Sequence, residues 1–167
     1  MKKEIKKALE QLVGFGFTGT SRVDGTAEYI NFGELGIIKD GTEEWQVGEF
    51  NIRLECPWRI TKGNILLIGS DDFAEQPDET AEYDENFNWN VQGGNLRDVK
   101  MTDFLNSGKY IVESVQTDEF GGFELTFNDN VKLTVFPAMS SKSEHNEFWG
   151  ISDSRDEGYY FTADMVY

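Results

Sequence analysis

The sequence predicts an α+β domain, mainly antiparallel β-sheet built from hairpins, with an N-terminal amphipathic helix and one short mid-chain helix. Three observations carry this expectation. Residues 50–60 place an apolar or aromatic side chain at every even position (Phe50, Ile52, Leu54, Cys56, Trp58, Ile60) and a polar, charged or proline residue at every odd one. That is the period-2 alternation of a strand with one buried face. Residues 123–135 repeat the alternation on both sides of Asn128-Asp129-Asn130, as a hairpin does. Connections such as Lys62-Gly63-Asn64 are too short for the crossovers that parallel strands need.

Taken in order, Ile5, Ala8, Leu9, Leu12 and Val13 form one stripe along residues 4–13 with Lys6, Lys7 and Glu10 outside it. This spacing predicts an amphipathic helix stopped by Gly14. Gly14-Phe15-Gly16-Phe17-Thr18-Gly19 matches G-x-G-x-x-G by letter. The dinucleotide fingerprint, however, needs a strand before it and a helix after it, whereas here the helix comes first. The glycines are therefore assigned to turns and close packing, and no cofactor is expected. Residues 27–32 predict a strand ending at Gly33, flanked by the turn dipeptides Asp24-Gly25 and Asp40-Gly41. Residues 44–48 lead into the alternating stretch. Pro57 lacks a backbone donor, so the ladder must open there through an edge position, a bulge or a break between two strands of one parity. The run Ile65-Leu66-Leu67-Ile68 then pairs back as the second strand of a hairpin over the same core.

Residues 71–85 hold eight carboxylates and no lysine or arginine, which predicts a solvated acidic loop spanning about 71–92, with Phe87 and Trp89 pinning it to the body. Residues 84–90 place oxygen-bearing side chains at alternate positions, as a calcium loop does. They lack the turn glycine, where Trp89 stands, and the closing glutamate, where Asn95 stands, so no metal is assigned. Asn95, with Asp98 three residues on, predicts an N-cap for a helix over residues 96–106. Within residues 110–136, pairing Leu125 with Leu133 and Phe123 with Val135 brings Phe123, Leu125, Phe127, Val131, Leu133 and Val135 onto one face. The facing of residues 110–116 stays open because both parities carry apolar side chains. Residues 148–151 and 159–167 read as closing strands, with Asp156-Glu157-Gly158 as the turn between them. The whole is one domain, 1–167, with sheet units at about 27–70 and 110–167.

The chain carries 31 acidic residues against 15 basic ones, a formal charge of −16. Such a field repels nucleic-acid phosphates and anionic membranes and draws in a basic partner. No apolar run approaches the roughly 20 residues of a membrane-spanning helix, the N-terminus is amphipathic rather than signal-like, and the single cysteine excludes an internal disulfide. A cytoplasmic location is expected.

Several segments stand out together: Asn31-Phe32-Gly33-Glu34, Gly48-Glu49-Phe50, Cys56-Pro57-Trp58-Arg59-Ile60, Gly69-Ser70-Asp71-Asp72 with Pro77, and Phe136-Pro137 followed by Glu147-Phe148-Trp149. In these the chain resembles a group of small uncharacterised bacterial proteins that share a C-P-W-R-I strand, a G-S-x-D turn and a V-F-P to E-x-W segment, over about residues 14–161. The resemblance implies a bacterial, cytosolic, single-domain protein and transfers no catalytic residues. Gly158-Tyr159-Tyr160 departs from the basic or histidine-bearing end of that pattern.

No catalytic signature emerges. His145 is the only histidine and stands in a serine-rich stretch, and Cys56 falls on the buried parity of its strand, the reverse of an exposed thiolate. Arg53, Glu55 and Arg59 fall on the solvent-side parity, where cross-strand ion pairing is expected. The function expected first is a non-catalytic protein-binding module, an immunity- or inhibitor-type partner of a basic protein, monomeric or homodimeric. The alternative is a small enzyme or metabolite-binding module with a carboxylate and aromatic cleft. The candidate binding residues are Trp58, Arg59, Asp71, Asp72, Glu147 and Trp149.

Overall fold

The fold, a computed structural model, describes residues 2–22, 26–140, 147–156 and 159–164. His145, Asp24-Gly25, Glu157-Gly158 and the last three residues lie outside them. The chain runs α1 (Lys2–Glu10), β1 (Gly16–Arg22), β2 (Glu28–Phe32), β3 (Gly36–Asp40), β4 (Glu43–Val47), β5 (Phe50–Leu54), β6 (Trp58–Lys62) and β7 (Ile65–Gly69). A short 3₁₀ turn (Ser70–Ala74) leads to α2 (Leu96–Ser107), β8 (Tyr110–Thr117), β9 (Phe123–Phe127), β10 (Val131–Val135), β11 (Glu147–Asp153) and β12 (Tyr160–Asp164). All strand pairs are antiparallel, and ten strands form one sheet in the order β12-β11-β5-β2-β1-β8-β9-β10-β6-β7, with β3-β4 as a separate pair.

The alternating stretch 50–60 is two strands of one parity. Phe50, Ile52, Leu54, Cys56, Trp58 and Ile60 are all buried, yet β5 and β6 stand six places apart in the sheet. Laid flat, six strand spacings would span about 29 Å, while the residues joining Leu54 to Trp58 reach at most about 14 Å. The sheet therefore has to roll until its third and ninth strands come together. Pro57 sits at this crossing, not on a free edge: its carbonyl accepts from the Phe136 N–H at 3.0 Å, and the Glu55 N–H donates to the Phe148 carbonyl at 2.9 Å.

The roll turns at a narrow seam where β1 meets β8 through Gly16↔Ile111 and Phe17↔Tyr110. Across the enclosed core, the Trp149 ring of β11 meets Phe123 of β9 edge-on at 4.8 Å. The hairpin register follows the sequence: Leu125↔Leu133 and Phe123↔Val135 pair, and all six predicted side chains are buried. In β8 the ladder slips between Val112 and Ser114. Tyr110 and Val112 are buried before that bulge and Val115 after it, which explains why neither parity predominates there. Helix α1 packs Ile5, Ala8 and Leu9 against the body beside β8, and α2 contributes Met101 and Phe104. The Asn95 side chain accepts from the Asp98 N–H at 3.0 Å, the expected cap.

Three expectations need correction. The glycine-rich segment after α1 continues into strand β1 instead of serving only as a turn, because Phe17 packs inward on Phe32 at 5.7 Å. Strand β7 delivers only part of its aliphatic run to the core: Ile68 is buried but Ile65 and Leu66 are exposed, as the ladder slips between Ile60 and Thr61 at this outer strand. The acidic loop is solvated yet internally tied, since the buried Gln76 donates to the Asp78 and Ala81 carbonyls and accepts from the Asp84 N–H at 2.8 Å. Trp89 packs edge-on against Phe73 at 5.8 Å, the expected pin, whereas Phe87 meets Tyr83 within the loop.

Candidate functional site

The six candidate residues do not form one cleft. Trp58 is buried and, with Asp71, lines a cavity of about 140 Å³ that also touches Cys56, Phe73 and Arg97. Arg59 lies on the outer face, its guanidinium 5.7 Å from the Phe136 ring centroid. Asp72 is a turn-former: its carboxylate accepts from the Gly69 N–H at 3.0 Å and lies 3.6 Å from the Lys100 ammonium. Glu147 pairs with Arg53, which also meets Glu55 at 3.0 Å, the expected ion pairing. Trp149 is wholly buried and its indole N–H donates to the Gly121 carbonyl at 2.8 Å, so it presents no polar atom to a ligand.

Beside the small cavity lies an ionic cluster that was not singled out from the sequence. Arg97 and Glu28 are 1% and 2% exposed, and the guanidinium Nε stands 3.1 Å from the Glu28 carboxylate without the alignment of a hydrogen bond. Its other nitrogens donate to the Ser70 carbonyl (3.0 Å) and the Thr26 carbonyl (3.1 Å), and it lies 5.7 Å from the Trp58 ring centroid and 5.5 Å from that of Phe73. A second pair, Arg22 with Asp98, is bidentate, with both bonds at 3.0 Å. Burial pushes the Glu28 carboxyl up to about 7 against the opposing pull of Arg97, with Asp98 adding repulsion. Removal from water outweighs the neighbouring cation here. The signal was present in both patterns: Glu28 shares the inward parity of Ile30 and Phe32, and Arg97 precedes Met101 and Phe104 at helical spacing.

The arginine facing the cavity is thus committed to the framework, tying β2, α2 and the turn after β7 together. Burial also raises the Cys56 thiol to about 12, so at neutral pH it is protonated and a poor nucleophile. Among the described residues no three His, Cys, Asp or Glu side chains converge in the manner of a metal centre. In the calcium-like stretch, Asp84 and Asn88 turn their side-chain oxygens to the N–H groups of Asn86 and Asn90 at 2.9 and 3.2 Å.

An exposed apolar structure is the β3-β4 arm. Its turn at Asp40-Gly41 was legible, with Gly41 at φ 60°, but the arm itself was not. Paired Ile38↔Trp45 and Gly36↔Val47 share one face with the acidic pair Asp40↔Glu43 at the tip. Ile37, Ile38 and Trp45 are 61%, 49% and 37% exposed. The base, in contrast, is bolted down. Gly48 donates to the buried Asn31 carbonyl oxygen of the side chain at 2.9 Å, and the Ser154 hydroxyl donates to the Gly48 carbonyl at 2.8 Å. The Glu49 carboxylate accepts from the Glu34 N–H at 3.0 Å, bridging the two legs. Arg155, held by Asp153 at 2.8 Å, lies 4.6 Å from the Phe50 ring centroid. Between the arm and Ser154-Arg155 runs a groove of about 390 Å³.

No helix among the described residues is long and apolar enough to cross a membrane. Comparison with protein-family models, with curated proteins and with solved structures gives no match.

Proposed function

We propose that this protein is a non-catalytic binding partner of a basic protein, of the immunity or inhibitor type, masking a cationic surface by charge complementarity. The observation that carries the reading is how the chain distributes its charges. Arg22 and Arg97 are buried against Asp98 and Glu28, and Arg53, Lys100, Lys132 and Arg155 are each engaged by carboxylates of the same chain. With 31 acidic residues to 15 basic ones, the carboxylates left over set the sign of the field that a partner meets. Complementary potentials of this kind govern encounter rate and partner choice more than they govern affinity.

The alternative, a metabolite-binding or enzymatic cleft, has less support. The cavity at Trp58 and Asp71, about 140 Å³, falls below the roughly 300–1,000 Å³ of ordinary small-molecule sites, and its arginine is already engaged; the groove beside the arm, about 390 Å³, reaches that range but is lined by none of the candidate cleft residues. Affinity capture from the source cell, followed by mass spectrometry, tests the proposal. The expected result is a stoichiometric partner of basic isoelectric point that elutes as salt is raised. A neutral or acidic partner, or one retained regardless of salt, would refute it.

A further inference from the structure

We infer that the β3-β4 arm is the seat of that partner: an exposed segment of a cationic protein lays apolar side chains on Ile38 and Trp45 and sets lysine or arginine side chains against Asp40 and Glu43. The inference rests on the basic-partner reading above and adds to it the place of contact.

Four features of the arm point the same way. First, an isolated two-stranded sheet is marginal in water, and β3 and β4 pair only with each other among the described residues, so both outer rows of backbone donors and acceptors are open to an added strand. Second, the exposed side chains on this hairpin include two isoleucines and a tryptophan, where a hairpin that only had to stay soluble would carry polar ones. Third, the base is fixed by Asn31, Glu49 and Ser154, so the arm projects from a set place on the body. Fourth, of the five carboxylates from Glu34 to Glu49, Glu44 is engaged by Lys39 on the opposite face and Glu49 by Arg155 at the base, while the acidic pair Asp40↔Glu43 continues the Ile38↔Trp45 face toward the tip. An apolar patch with an acidic end selects a surface that is apolar and basic in the same order. The same charges disfavour a second copy of this chain as the occupant, since each copy bears −16 and like would face like.

The test uses a synthetic peptide of alternating lysine and valine, with an alternating glutamate and valine peptide as control, titrated against the full chain at low and high salt. Three variants are compared with wild type: Ile38→Ser with Trp45→Ser; Asp40→Asn with Glu43→Gln; and a charge-matched control on the acidic loop, Asp78→Asn with Glu82→Gln. All six positions are exposed, and circular dichroism with thermal melting verifies that each variant folds. The expected result is salt-sensitive binding of the lysine peptide, weakened about tenfold or more by either arm variant and less than about twofold by the loop variant. Amide exchange should slow over residues 36–47 on binding. Equal weakening by both charge variants, or no loss with Ile38→Ser and Trp45→Ser, would overturn the arm as the seat while leaving a charge-driven partner standing. Absence of salt-sensitive binding would overturn both. A dimer by sedimentation that Ile38→Ser with Trp45→Ser dissociates would replace the basic partner with a second copy.

Discussion

Replacing Glu28 by glutamine should change how stability depends on pH, and the size of the change follows from the site. Burial raises the Glu28 carboxyl from 4.5 to about 7, with Arg97 pulling the other way. The folded state therefore holds the proton more tightly than the unfolded chain does. The stability so conferred is complete below about pH 4.5, declines as pH rises, and is lost above about 7. The full shift corresponds to about 3 kcal/mol, of which about 1 kcal/mol falls between pH 8 and pH 6. Glu28→Gln has no proton to bind at this position. Urea unfolding of both proteins at pH 6, 7 and 8 should thus show the wild type gaining about 1 kcal/mol on the variant as pH is lowered through this window. His145 is present in both proteins and cancels in the difference. Parallel pH profiles would show that Arg97 offsets the burial of Glu28 fully, and the reasoning about the cluster would fail.

Further outcomes follow from single contacts. Trp149→Phe removes the indole donor to the buried Gly121 carbonyl and should cost about 1–3 kcal/mol in chemical unfolding, the penalty of an orphaned acceptor. Gly48→Ala would place a Cβ 2.5 Å from the Phe32 carbonyl oxygen and 2.7 Å from its nitrogen. Both obstacles are backbone, so thermal unfolding should report a loss of about 1–3 kcal/mol or more. With its pKa near 12, the Cys56 thiol should react with an aromatic disulfide reagent at pH 8 about a thousandfold more slowly in the native protein than in urea. Comparable rates would place the thiol outside the core.

Much of this architecture was legible because parity is a local property. The even positions of 50–60 and the paired runs around Asn128-Asp129-Asn130 state which side chains go inward, and Asn95 with Asp98 states where a helix begins. What parity does not encode is which strand lies beside which. Phe50–Leu54 and Trp58–Lys62 share one inward face, yet they become distant neighbours in a rolled sheet, a separation set by pairings with β2, β11 and β10. Strand β1 was hidden because its glycines mimic turn chemistry, and the arm because neither of its strands buries a face that alternation would mark. Arg97 and Glu28 were overlooked for a different reason: charged side chains were assigned to the solvated faces, where most belong, although both stood in register with apolar neighbours. The candidate residues Asp71 and Trp58 do share a cavity, whereas Glu147 and Trp149 serve an ion pair and the core.

The claim beneath the proposed function is that association is driven by the carboxylates this chain leaves unspent. Stopped-flow measurement of the association rate with the captured partner, from about 50 to 500 mM salt, tests it most directly. The account predicts a fall of at least about tenfold, with the dissociation rate changing far less. An association rate indifferent to salt would contradict it.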